Sequence, residues 1–218
     1  EEKTNKDGTA YATIDVSYPE FKNVSSIFNK KIEDLVMKEV DSHKEISEEN
    51  WVARYETKLP GDTISEFPTK EEKYQLSVSW EGVQANDKFI SIIIIFNGYT
   101  GGAHGYDNII SFNYDVLNKK EITLSSLFSS DSTYLKTISE FSRKDLEKQF
   151  RKRLDIKTKD DEVNFKDSVV PMMLGGTMPE EVNFSIFTFV PDAVTFYFAQ
   201  YQVAPYAMGG SSVTMPRS

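Results

Sequence analysis

Two histidines, no cysteine and one glycine-rich loop bound the chemistry open to this chain of 218 residues. His104 lies in FNGYTGGAHGYDN, residues 96–108, among Gly98, Gly101, Gly102 and Gly105, with Tyr99 and Tyr106 on either side and Asp107 three positions on. A loop histidine can serve as a general base, ligate a metal, contact a ligand or simply pack at a turn. A serine hydrolase needs a nucleophile on a strained elbow, and no G-x-S-x-G run occurs. A phosphate cradle needs glycines that open a helix or precede Lys-Ser/Thr. Here neither follows, and the next segment reads as a strand. Two histidines, His43 assigned to a polar helix end and His104 to the loop, exclude a histidine-rich metal site; a mixed His/carboxylate site stays open, with no H-x-x-E-H-type spacing to support it. His104 therefore reads as a structural or ligand-contacting residue, and no catalytic residue, metal or cofactor is assigned. The alternative is a hydrolase using His104 and nearby carboxylates.

The remaining chemical groups read as ordinary surface and core. The basic run RKDLEKQFRKRLDIK, residues 143–157, is interleaved with acids: Glu140 and Lys144, and Glu147 and Arg151, stand at i,i+4 spacing on a solvated helix face. Asp160-Asp161-Glu162 and Glu180-Glu181 sit in polar contexts, and adjacency in sequence does not oppose two carboxylates across a cleft. Met172, Met173, Met178, Met208 and Met215 fill core gaps by default. The net charge of −9 argues against nucleic acid, whose phosphates it would repel, and favours approach of a cationic partner. The absence of cysteine excludes disulfides, zinc-thiolate sites and thiol nucleophiles without fixing a compartment. No apolar run is long enough to cross a bilayer and no signal peptide is visible. EEKTNKDGT reads as a frayed polar start, such as remains once a leader or lipid-anchor segment has been trimmed.

These groups must be positioned by regular elements. Residues 10–18 alternate as a strand. Val24, Ile27, Phe28, Ile32, Leu35, Val36 and Val40 form a helical stripe capped by Asn23. Alternation predicts a strand over 51–59, a loop over 60–72, and strands over 74–80, 88–96 and 110–114. EITLSSLF, residues 121–128, reads as a short strand entering a turn. A second helix runs from Asp131 to Leu154, and a short third helix within 160–174 breaks near Pro171. Strands follow at 183–190, 193–198 and within SSVTM. The order predicts an α+β fold with largely antiparallel sheets and two main amphipathic helices. The halves are 1–97, strand-helix-strands, and 98–218, with a helix and aromatic strands, packed as one unit.

Two segments carry a family resemblance: YTGGAHGYDNIISFNYDVLNKKEITLSSLF, residues 99–128, and AVTFYFAQYQVAPYAMGGSSVTMP, residues 193–216. They resemble the extracytoplasmic domain family found in the anti-sigma factor RsiV and in the non-catalytic N-terminal part of the peptidoglycan deacetylase PdaC. The matching motifs are Y-T-G-G-A-H-G, K-E-I-T-L-x-x-L-F and Y-x-I-A-P-Y-A-x-G, with Val203 standing where the last has Ile. The resemblance implies a location outside the cytoplasm (periplasmic, cell-surface, secreted or lipoprotein), with a membrane anchor beyond these residues. It also implies a non-catalytic binding or sensor role, with a cationic lysozyme-like protein or cell-wall glycan as partner. Tyr99, Gly101, Gly102, His104, Tyr106, Tyr201, Pro205 and Tyr206 are the expected ligand-binding residues, the loops 98–106 and 201–210 forming one Tyr- and Gly-rich surface.

Overall fold

The computed structural model describes residues 1–22, 24–128 and 133–217. One sheet has the order β1-β2-β3-β4-β5-β6 and a second the order β7-β8-β9. The strands are β1 (Glu2–Gly8), β2 (Ala12–Pro19), β3 (Tyr74–Ala85), β4 (Phe89–Tyr99), β5 (Tyr106–Asp115), β6 (Lys120–Glu121), β7 (Phe187–Val190), β8 (Ala193–Phe198) and β9 (Ser211–Pro216). The helices are α1 (Ser26–Glu56), α2 (Leu124–Leu127), α3 (Tyr134–Arg153), α4 (Lys159–Asn164) and α5 (Val170–Gly176). This is the expected α+β fold. The chain divides into two compact units, Glu1–Glu81 with Ile94–Asn108, and Gly82–Ile93 with Ile109–Ser218.

In the first unit β2 pairs in parallel with β3. Parallel neighbours need a crossover, and α1 supplies it. Ser25 caps α1, its hydroxyl accepting from the Phe28 N–H at 3.2 Å. The Asn23 cap expected from sequence lies outside the described residues. The buried face of α1 is Phe28, Ile32, Val36, Val40, His43, Ser47 and Trp51. That spacing of three and four continues past Val40, so the expected strand at 51–59 is instead, as far as Glu56, the last turns of one long helix. Trp51 packs edge-on against Tyr74, with ring centroids 6.0 Å apart. The alternation at 51–59 misled because Val52 and Tyr55 are only half-buried at the flank of the helix.

Glu2–Gly8 is also not frayed. It pairs antiparallel with β2 from Glu2↔Pro19 to Gly8↔Thr13, and Lys3 meets Glu20 at 2.9 Å. Its side chains are polar because it is an edge strand, where charge discourages further pairing.

The second unit packs α3 and the 159–176 helical run on β7-β8-β9 around Phe150, Phe165, Phe184, Phe187, Phe196 and Phe198. The outer backbone groups of β7 are closed by side chains. Ser91 Oγ and Ser111 Oγ accept from the Phe189 and Phe187 N–H groups at 2.9 and 3.1 Å, while Asn113 Nδ2 and Gln84 Nε2 donate to the carbonyls of the same two residues. A buried edge is thereby satisfied without another strand. The short strand entering a turn expected at 121–128 is β6, ending at Glu121, followed by the one-turn helix α2. The 183–190 strand begins only at Phe187, after a 3₁₀ turn at Glu181–Phe184. The third helix does not break at Pro171. Phe165–Val169 is a π-helical turn and Pro171 falls in the first turn of α5, where its missing N–H costs nothing. Asp131, the expected start of the second helix, lies outside the described residues; the helix is described from Tyr134.

Candidate functional site

Tyr99, Gly101, Gly102, His104 and Tyr106 belong to the first unit; Tyr201, Pro205 and Tyr206 belong to the second. In the first unit β4 ends at Tyr99 and β5 begins at Tyr106, with the glycine loop between. Tyr106 turns its ring over Gly98, where a Cβ would fall inside the phenol. Gly101 has φ +90°, and a Cβ there would collide with the Tyr74 hydroxyl. These two glycines are dictated by close approach and by left-handed backbone. Gly102 differs: a Cβ there would be 3.8 Å from the nearest atom, an ordinary contact.

The loop is anchored from α1. Asn50 Nδ2 donates to the Thr100 carbonyl at 2.7 Å. The Tyr106 hydroxyl lies 3.2 Å from His43 Nδ1 and 3.4 Å from Glu39 Oε1. A phenol has one proton to give; donated to the Glu39 carboxylate, it leaves the His43 Nδ1–H to donate to the phenol oxygen. Burial, then the Glu39 charge and hydrogen bond, push the Tyr106 pKa up to about 12. His43 is not at a polar helix end. It is buried in the middle of α1, burial lowers its pKa, and its Nε2 has no hydrogen-bond partner among the described residues. The neutral imidazole is the form this setting favours.

What this arrangement displays is Tyr99. The residue is 42% exposed, and its ring stands edge-on to Tyr74 at 5.9 Å, which in turn rests on Trp51. A rigid aromatic with a hydroxyl tip, mounted on buried aromatics, suits recognition more than bond-breaking. His104 is exposed, with Nδ1 2.8 Å from the Gly105 carbonyl. Among the described residues no group of three or more His, Asp or Glu side chains could hold a metal ion. Tyr106, expected as a contact residue, is a half-buried post that shapes the loop.

In the second unit Tyr201 has φ +66° and is exposed; its ring lies 5.5 Å from that of Tyr206. Pro205 precedes the 3₁₀ turn Tyr206–Met208. Pro205, Ala207 and Met208 line a cavity of about 380 Å³ shared with Leu154, Ile156 and the 161–169 helical segment. Sequence reading missed this cavity, and missed His43, Glu39 and Asn50 as the supports of the glycine loop. The available signal was the four-residue stripe running through polar positions 43 and 47.

The matches to known families fall on both parts of the chain. The family described as Deacetylase PdaC matches residues 5–107, and the family described as Protein of unknown function (DUF3298) matches residues 125–218. Together the two matches support the resemblance to the PdaC/RsiV-type domains, a PdaC-type part being followed by a DUF3298 part. Relatives of the chain include the peptidoglycan-N-acetylmuramic acid deacetylase PdaC of Bacillus subtilis (strain 168). It is 28% identical over 203 residues, which is 93% of this chain but 37% of that protein. An esterase of Mycobacterium tuberculosis is 25% identical over 154 residues, 69% of this chain and 60% of the esterase. The chain thus spans well under two thirds of the deacetylase and somewhat less than two thirds of the esterase. A solved DUF3298 structure from Bacteroides fragilis, 20% identical, covers 99% of this chain and 90% of its own with a TM-score of 0.62, a likeness of fold. No described helix is long and apolar enough to cross a membrane.

Proposed function

We propose that the chain is a non-catalytic, extracytoplasmic binding or sensor domain of the cell envelope that recognises a cationic lysozyme-like protein or cell-wall glycan. The observation that carries this reading is Tyr99, an exposed ring on an aromatic mount in a loop fixed by Gly98, Gly101 and Asn50. The acidic balance of the chain supports a cationic protein over an anionic one. The peptidoglycan named for the deacetylase relative supports a place at the cell wall. Titration of hen-type lysozyme by calorimetry, with peptidoglycan sedimentation beside it, tests the reading. Wild type binds one of the two and Tyr99→Ala binds it about tenfold more weakly. Binding of neither ligand by the wild type ends it.

One observation favours a second reading. The esterase relative supports a cell-envelope hydrolase acting through His104 and nearby carboxylates. Hydrolysis of p-nitrophenyl acetate that disappears in His104→Ala would replace the binding reading with this one.

A further inference from the structure

The cavity of the second unit takes no part in the proposed recognition by Tyr99. Its volume of about 380 Å³ falls in the range of small-ligand sites, and its lining is mostly apolar. Phe165 and Val169, both buried, come from the π-helical turn; Pro205, Ala207 and Met208 come from the turn after Tyr201. Both framing segments depart from regular backbone. A π-helical turn is rare and recurs at functional sites. Tyr201 holds φ +66°, a conformation that costs a non-glycine residue energy and persists where the surroundings demand it.

The polar lining sets the class of ligand. It consists of Asp161, Asn164 and Ser168. Asp161 is already committed: its Oδ2 accepts from the Thr158 and Lys157 N–H groups at 2.9 and 3.2 Å, which keeps the carboxylate ionised. Arg153, outside the lining, donates through Nη1 to the Met208 carbonyl at 2.5 Å, and its charge offsets that of Asp161, so no net charge beside the cavity selects an ionic head of either sign. Asn164 and Ser168, both exposed, offer an amide and a hydroxyl that donate and accept. We propose that this cavity is a binding site for an uncharged amphiphile, with a short alkyl or acyl chain against Phe165, Val169 and Met208 and a hydroxyl- or amide-bearing head at Asn164 and Ser168.

The probe is n-octyl β-D-glucoside, titrated below its micelle-forming concentration against the ¹⁵N-labelled chain and followed by amide chemical shifts. Saturable shifts centred on Asn164, Ser168 and Ala207 are expected. Ala207→Trp and Ser168→Trp, each at an exposed position, fill the cavity and weaken binding about tenfold or more. Octanoate, with the same chain length and a charged head, binds at least about tenfold more weakly. The site is overturned by the absence of saturable shifts up to about 10 mM, by shifts centred elsewhere, or by unchanged affinity in either folded variant. Octanoate binding as tightly as the glucoside overturns the uncharged class. None of these outcomes bears on Tyr99, so this site and the recognition reading fail separately.

Discussion

At Gly101 and Gly102 two adjacent glycines have opposite reasons to exist. Gly101 combines φ +90° with a Cβ position blocked by Tyr74, whereas Gly102 has neither constraint. Gly101→Ala is therefore expected to cost about 1–3 kcal/mol and Gly102→Ala less than about 0.5 kcal/mol, read as the difference in denaturant midpoints. Equal effects would mean that the loop does not hold this backbone in solution. His43 gives a pH signature. Its folded pKa is lowered by burial, so the unfolded chain binds its proton more tightly. The stability that neutral His43 permits is complete above the unfolded value of about 6.5 and is lost as pH falls below it. Melting temperature should decline from pH 7.5 to 5.5 in the wild type, ahead of the acid loss from Glu162, held at about 2 by Arg151 and Lys166. In His43→Gln that decline should be flattened. A wild-type curve flat across the interval would show that His43 is not held neutral.

At the scale of elements, α1 shows how a sequence conceals a helix. Its buried face runs through Phe28, Ile32, Val36 and Val40, then through His43 and Ser47, and ends on Trp51. Hydrophobicity alone stops the stripe at Val40, because two buried positions carry polar side chains. Truncating Trp51 is expected to cost about 3–5 kcal/mol, since its ring supports Tyr74 and, through it, Tyr99. A Trp51→Ala variant as stable as the wild type would contradict the described packing. Among the elements read correctly, β2, β3, β8 and β9 alternate in burial, β4 is buried almost continuously, and α3 buries a stripe at three- and four-residue spacing. Those misread lacked any such signal. The edge strand β1 holds by backbone pairing with polar side chains, and the π-helical turn at Phe165–Val169 depends on packing rather than on local preference. The glycine loop was legible as a special backbone because glycine and aromatic residues alternate there. Its supports were not, because Glu39, His43 and Asn50 stand 50 or more residues from the groups they bond.

At the scale of the whole molecule, charge is unevenly shared between the two units. The first unit, made of Glu1–Glu81 and Ile94–Asn108, has 19 acidic and 11 basic residues, a net −8; the second has 15 and 14, a net −1. Nearly all of the net charge of −9 therefore resides in the first unit, and −7 of it within residues 1–81. The proposed recognition loop around Tyr99 belongs to this same unit. A cationic partner would therefore be drawn by a field with its source beside the loop, and such steering acts on the association rate and is screened by salt. The rate constant for hen-type lysozyme, measured by stopped flow, should fall by about tenfold between about 0.02 and 0.5 M salt. Glu45→Gln combined with Glu49→Gln, both exposed on α1, should lower it by about threefold at low salt. Asp160→Asn combined with Asp192→Asn, exposed in the second unit, removes the same charge and should leave it nearly unchanged. Equal slowing by the two pairs would assign steering to total charge rather than to the first unit. A rate indifferent to salt would remove electrostatics from the recognition altogether, leaving the apolar and hydrogen-bonding surface of Tyr99 as its source.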